Sequence, residues 1–167
     1  TIGGTSNPRF AWVALIKANT GTLTLTGNNL YAYGTAINGG ILSLGSAGAI
    51  GTTGDIVFRG GTLQFTSSNT TDYSSRIGIV TGSSNGQITG GSSGSISLDT
   101  NGQNVTFASA LSALNSGGLT KIGAGTLDLT ANDSAIGAAI NVQGGTLQEG
   151  TGGSISSSAN VVLGTGT

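Results

Sequence analysis

The feature that most constrains this chain is an internal repeat. Residues 21–26 read GTLTLT and residues 125–130 read GTLDLT, and around them Lys17 aligns with Lys121. The correspondence continues through 34–38 (GTAIN) with 137–141 (GAAIN), 39–45 (GGILSLG) with 144–150 (GGTLQEG), and 55–58 (DIVF) with 160–163 (NVVL). The offset drifts only from 103 to 105. A shorter period lies inside the long one. The glycine that opens each G-[TI]-L unit falls at Gly21, Gly40, Gly61, Gly125 and Gly145, in steps of 19, 21, 64 and 20, and 64 is about three times 21. A period near 20 is the length of one solenoid turn. It divides 167 residues into roughly 8 turns.

Each unit reads as a strand. Leu23 and Leu25 alternate with Thr22, Thr24 and Thr26, the period of a half-buried strand. The same alternation runs through 41–44, 62–65, 95–98 and 126–129. Short strand-like runs at 77–80, 96–98 and 105–107 carry the pattern across the blurred middle. Clusters such as Gly27-Asn28-Asn29 and 82–86 (GSSNG) supply corner conformations. The best helical candidate, 108–114, is too short to stand alone. A turn of about 20 residues cannot bury its own apolar face, whereas stacked turns can, with their leucines in an interior column. Gly, Ser, Thr and Asn make up 90 of 167 residues, and only 7% are charged, against about 25% in an ordinary soluble domain. Disorder is a poor reading of that bias, because 36% of residues are hydrophobic and regularly placed.

Segment 117–150, GGLTKIGAGTLDLTANDSAIGAAINVQGGTLQEG, resembles the passenger-associated repeat of bacterial autotransporters, also called the autotransporter-associated β-strand repeat. Residues 17–45 resemble its latter part, including Asn29, Tyr31 and Gly34, and 60–107 resembles the looser stretch that precedes such a repeat. The resemblance implies an all-β, right-handed parallel β-helix (β-solenoid), in keeping with turns of about 20 residues. It also implies secretion to, or display on, a bacterial surface, in a module that is not catalytic. The second copy departs from the first, with Ser134 and Ala135 near the place of Tyr31. The expected organisation is an N-terminal segment, 1–12, acting as cap or contact arm, and a β-helix over 13–167. Within it, copies at 13–65 and 117–167 are joined by a degenerate stretch, 66–116.

The residues offer little chemistry. With no His and no Cys there is no imidazole base, no thiolate, no disulfide and no ordinary zinc site. No cofactor or metal is expected. The five basic residues do not form the stripe that nucleic acid requires, and no apolar run is long enough for a membrane-spanning helix. Among the six carboxylates, Asp128 and Glu149 are spaced by one turn length and are the one pair a solenoid could stack into a dyad. Two surface groups are the plainer reading of them. Glu149 also aligns with the inward Leu44, and an outward turn of the chain at Gly150 accounts for it. The row Thr22, Thr24, Thr26 is interrupted on the next turns by Ile41 and Gln64, so ordinary β-propensity explains it better than ice binding. Four aromatics gather early: Phe10, Trp12, Tyr31 and Tyr33. They are candidates for capping the open apolar end or for contact with another chain, ahead of a sugar-binding platform.

These observations point to a noncatalytic structural or adhesive rod, extracellular or on a bacterial surface. Its expected partners are more solenoid, added end to end or as the continuation of a longer chain, and a host or matrix surface. The absence of Met at position 1 and the break in the repeat unit at Thr167 suggest a fragment or a processed subunit that stacks head to tail into fibres. A glycan-binding solenoid and a polysaccharide-acting β-helix enzyme are the alternatives.

Overall fold

The computed structural model describes residues 13–78, 88, 91–111, 113–136 and 138–164. The 1–12 segment, with Phe10 and Trp12, lies outside these residues, as do 79–87. Every pairing between strands is parallel. The chain is an all-β parallel solenoid. The strands of the first copy are β1 (Leu15–Lys17), β2 (Thr22–Leu25), β3 (Thr35–Ile37), β4 (Ile41–Leu44), β5 (Ile56–Phe58) and β6 (Thr62–Gln64). The middle supplies β7 (Ile96–Asp99) and β8 (Val105–Phe107). The second copy supplies β9 (Leu119–Ile122), β10 (Thr126–Leu129), β11 (Asn132–Asp133), β12 (Ile140–Val142), β13 (Thr146–Glu149), β14 (Ser154–Ile155) and β15 (Val161–Leu163). No helix forms over the described part of 108–114. Leu111 is buried there in irregular chain.

The spine is a seven-stranded sheet in the order β15-β12-β9-β7-β6-β4-β2. Its registers run Thr22, Ile41, Thr62, Ser97, Thr120, Asn141, Val162. All but one of these steps keep close to the period seen in the sequence, and the exception is the step from Thr62 to Ser97. There are thus about six turns of roughly 21 residues rather than eight, because that central turn is much longer than the period. Two three-stranded sheets flank the spine, β1-β3-β5 beside its early strands and β8-β10-β13 beside its late ones.

Described residues of the long turn return to the first flanking sheet. Ile77 bridges Ile56 and so extends the first flanking sheet. Further on, the Ile88 amide donates to the Tyr33 carbonyl at 2.7 Å. The Ile88 side chain packs there with Ala36 and Val57 in a small second core. The chain returns beside Phe58, whose amide donates to Ser92 Oγ at 3.0 Å and whose carbonyl accepts from the Gly94 amide. The first side is therefore visited twice before β7 resumes the spine.

This detour displaces the second copy by one side. In the first copy the lysine strand β1 lies in a flanking sheet, and the GTLTL strand β2 lies in the spine. In the second copy the lysine strand β9 lies in the spine, and the GTLDL strand β10 has moved to the other flanking sheet. The interior column of the spine consequently reads Leu23, Leu42, Leu63, Leu98, then Lys121, Val142 and Leu163. Leu42, Leu63 and Leu98 are fully buried. Burial of such side chains is worth about 1.5–3 kcal/mol each. The degenerate middle fills the core with rings instead. Phe65 lies 6.5 Å from Tyr73 and 6.3 Å, edge to face, from Phe107.

Candidate functional site

Of the four aromatics singled out in the sequence, two can be placed. Tyr31 is fully buried in the core, and its hydroxyl bonds Thr35 Oγ1 at 2.9 Å. Burial raises its pKa above the ordinary tyrosine value, and the bond to Thr35 offsets part of that rise. A ring with no exposed face offers nothing to a sugar. Tyr33 is half-buried, and its backbone ties Val13 on one side to Ile88 on the other.

The two carboxylates proposed as a dyad do not meet in register. Asp128 stands beside Gln148, and Glu149 beside Leu129. The alternation along β10 sends them to opposite sides of the sheet. β13 ends at Glu149 and the chain leaves the strand at Gly150, where a turn follows; the Glu149 carboxylate is exposed and accepts the Ile155 amide six residues on. The threonine row is broken as its neighbours suggest, with Thr22 beside Ile41 and Thr24 beside Ser43.

The most specific polar construction is one that sequence reasoning did not assign. Lys17 and Lys121, the chain's two lysines, turn inward and lay their ammonium groups against corner carbonyls. Lys17 Nζ donates to the carbonyls of Ala18 (2.7 Å), Asn19 (2.9 Å) and Gly39 (2.9 Å). Lys121 Nζ donates to those of Ile122 (2.9 Å), Gly123 (2.7 Å) and Gly144 (3.0 Å). Three donors meet three acceptors, so each ammonium is fully used. Burial lowers the pKa of Lys121 below the ordinary lysine value, and the charge of Asp99 on the preceding turn offsets part of the drop.

The same corner explains glycines of the repeat. Gly40 and Gly145 have φ of 64° and 65°, in the region that disfavours side chains. A methyl group on Gly40 would strike the carbonyls of Gly21 and Asn19 and the Lys17 ammonium. On Gly145 it would strike the carbonyls of Gly125 and Gly123 and the Lys121 ammonium. The signal was present in the sequence, as a lysine four residues before the G-T-L glycine in both copies. Its meaning needed the carbonyls, which a sequence does not display.

A second recurring corner differs between the copies. Asn29, buried, donates from Nδ2 to the Ala49 carbonyl at 2.7 Å. Its counterpart Asp133 is fully buried, with Oδ1 accepting the Leu111 amide at 2.6 Å and Oδ2 without a hydrogen-bond partner among the described residues. Burial raises the pKa of Asp133, and the Leu111 amide partly opposes the rise. Among the described residues, no group of three or more acidic, histidine or cysteine side chains could hold a metal ion.

Comparison with known proteins agrees with this architecture. The passenger-associated-transport-repeat family matches residues 15–44 and 119–148, which carry the two lysine corners. An autotransporter adhesin, BmaC of Brucella suis biovar 1 (strain 1330), is 34% identical over 134 residues, 80% of this chain. The chain spans about 4% of that adhesin's length. No solved structure matches. The chain therefore carries two passenger-associated transport repeats and is a distant homologue of an autotransporter adhesin.

Proposed function

We propose that this chain is a noncatalytic, adhesive segment of an autotransporter-type passenger, working outside the cell as a rigid β-helical rod. The observation that carries the reading is the unbroken seven-stranded parallel sheet, which joins the two transport repeats into one body in a homologue of an adhesin. Parallel ladders leave few backbone groups free, so such a rod can hold a contact surface away from a membrane without a disulfide. The 7% charge suits that design, since like charges would stack in register on successive turns. The rod's partners are a host-cell or matrix surface along its sides and further solenoid turns at its ends. Support for the second partner lies on β15. Val161, Val162 and Leu163 are 50, 43 and 75% exposed, and Val161 and Leu163 line a cavity together with Leu147 and Ile155.

Two measurements test the reading. Beads coated with the chain should adhere to cultured host cells or immobilised matrix more than beads coated with an unrelated solenoid; equal adherence would remove the adhesive role. Electron micrographs of the concentrated chain should show rods longer than one protomer if a second copy covers β15. Uniform monomers would leave the turns of a longer chain as the cover.

A further inference from the structure

We propose that Lys17 and Lys121 are turn latches, each ammonium locking its own turn to the turn that follows. The choice of carbonyls carries this assignment. Two of the three acceptors sit in the lysine's own corner, one and two residues on, and the third comes from the next turn: Gly39, 22 residues on, for Lys17, and Gly144, 23 residues on, for Lys121. The arrangement has a direction, because among the described residues Lys121 bonds no carbonyl of the preceding turn.

Docking of the next turn also seals the cage. Gly40 and Gly145, the residues whose missing side chains make room for the ammonium, belong to that incoming turn. Before it docks, an inward-pointing ammonium lacks one acceptor and its lid. A buried cation with an unused donor is costly, so the lysine favours a turn only when its successor is in place. The geometry recurs on two different sides of the solenoid, β1 in a flanking sheet and β9 in the spine. The latch is thus a property of the corner and not of one sheet. The other stacked turns have no lysine; the strand ladder holds them together with side chains such as Asn69, which bonds the Ser46 carbonyl, and Arg76, whose guanidinium bonds the Thr53 and Gly54 carbonyls.

The latch makes the transport repeat a device for turn-on-turn cooperativity. Amide hydrogen exchange on the whole chain tests it through Lys121→Met, which keeps the stem's volume and removes the donors. Opening of the following turn should accelerate exchange of the Gln143 and Thr146 amides, which bond the Lys121 and Gly125 carbonyls, by about tenfold or more. The Ile96 amide, bonded to Gly118 at the preceding interface, should change by less than about twofold. Equal acceleration on both sides, or none, would overturn the latch.

The unaltered protein gives a second test that does not depend on a variant folding. Acylation with an N-hydroxysuccinimide ester should modify both lysines at least about 100-fold more slowly in the native chain than in urea; rates within about tenfold would contradict the closed cages. In Lys121→Ala, n-propylammonium replaces the missing atoms and should restore slow exchange at Thr146, whereas tetramethylammonium, which has no N–H, should not. Equal rescue by both salts, or by neither, would also count against the proposal.

Discussion

The two copies of the repeat are close in sequence and unlike in setting. In the first, β4 and β5 are sandwiched between neighbours, and Leu42, Leu44, Ile56 and Phe58 are fully buried. In the second, the counterpart strands β13 and β15 each pair on one side only. Leu147 is half-buried, Glu149 exposed, and β15 exposed throughout. The same pattern of alternation yields core in one copy and edge in the other, because burial in a solenoid comes from the neighbouring turns and not from the turn itself. The long step between β6 and β7 adds the second difference, moving the later copy to the next side. What survives both changes is the lysine corner. That invariance marks it as the structural heart of the motif, and the leucines as the part whose worth depends on place.

The largest effect expected from this contrast comes from a charge in the fully covered strand β10. Leu127→Asp places an unpaired carboxylate in the core and should cost about 4 kcal/mol or more. The same change at Leu147, which lies in register beside it on the outer turn, should cost about 1 kcal/mol. Urea midpoints measure both, and equal losses would break the distinction between covered and edge turns. Truncation sharpens the same point: Leu42→Ala should cost about 2–5 kcal/mol, several times the loss from Leu147→Ala.

A smaller, pH-dependent difference belongs to the buried polar corner. Burial raises the pKa of Asp133, so the fold favours its protonated form more than the unfolded chain does. The stabilising contribution is full below the ordinary aspartate value and is lost as pH rises through the raised native value. A protonated Oδ2 would also act as a donor, as Nδ2 of Asn29 does toward Ala49. Glu149 accepts the amide of Ile155, the register partner of Asp133. Asp133→Asn should therefore raise stability at neutral pH by about 1 kcal/mol and flatten the fall in urea midpoint between acid and neutral pH. An unchanged pH profile would mean that Asp133 is not the group responsible. At the bottom of the scale, Thr24→Ser on the exposed side of β2 should change stability by less than about 0.5 kcal/mol.

Much of the architecture was legible in the sequence. The alternation Leu23, Leu25 and Leu127, Leu129 marks strands, inward faces and a period near 20, and the structure places those strands where the pattern puts them. The number of turns falls short of the sequence expectation because the middle stretch spends its extra residues on a detour. Its anchor points, Ile88 on Tyr33 and Ser92 on Phe58, carry no periodic signature. The change of side follows from that detour and could not be read from either copy alone. Tyr31 groups with Phe10 and Trp12 by its position in the chain, yet a corner residue's direction depends on the turn's backbone, and this one points inward to Thr35. The Asp128 and Glu149 pairing fails by one residue of register, which in a strand means the opposite side. The lysines were visible as an alignment but silent as chemistry, since their partners are all main-chain carbonyls.

The second copy continues the solenoid on the next side. Cysteine pairs test it cleanly, because the chain has no other cysteine. Ser97 stands beside Thr120 in adjacent parallel strands, about 4.8 Å apart, within reach of a disulfide. Had the copies stacked without a shift, the GTLDL strand would follow β7 in the spine, and Ser97 would face Thr126. Mild oxidation should join Ser97→Cys to Thr120→Cys and leave Ser97→Cys with Thr126→Cys reduced; the reverse outcome would contradict the shifted stack.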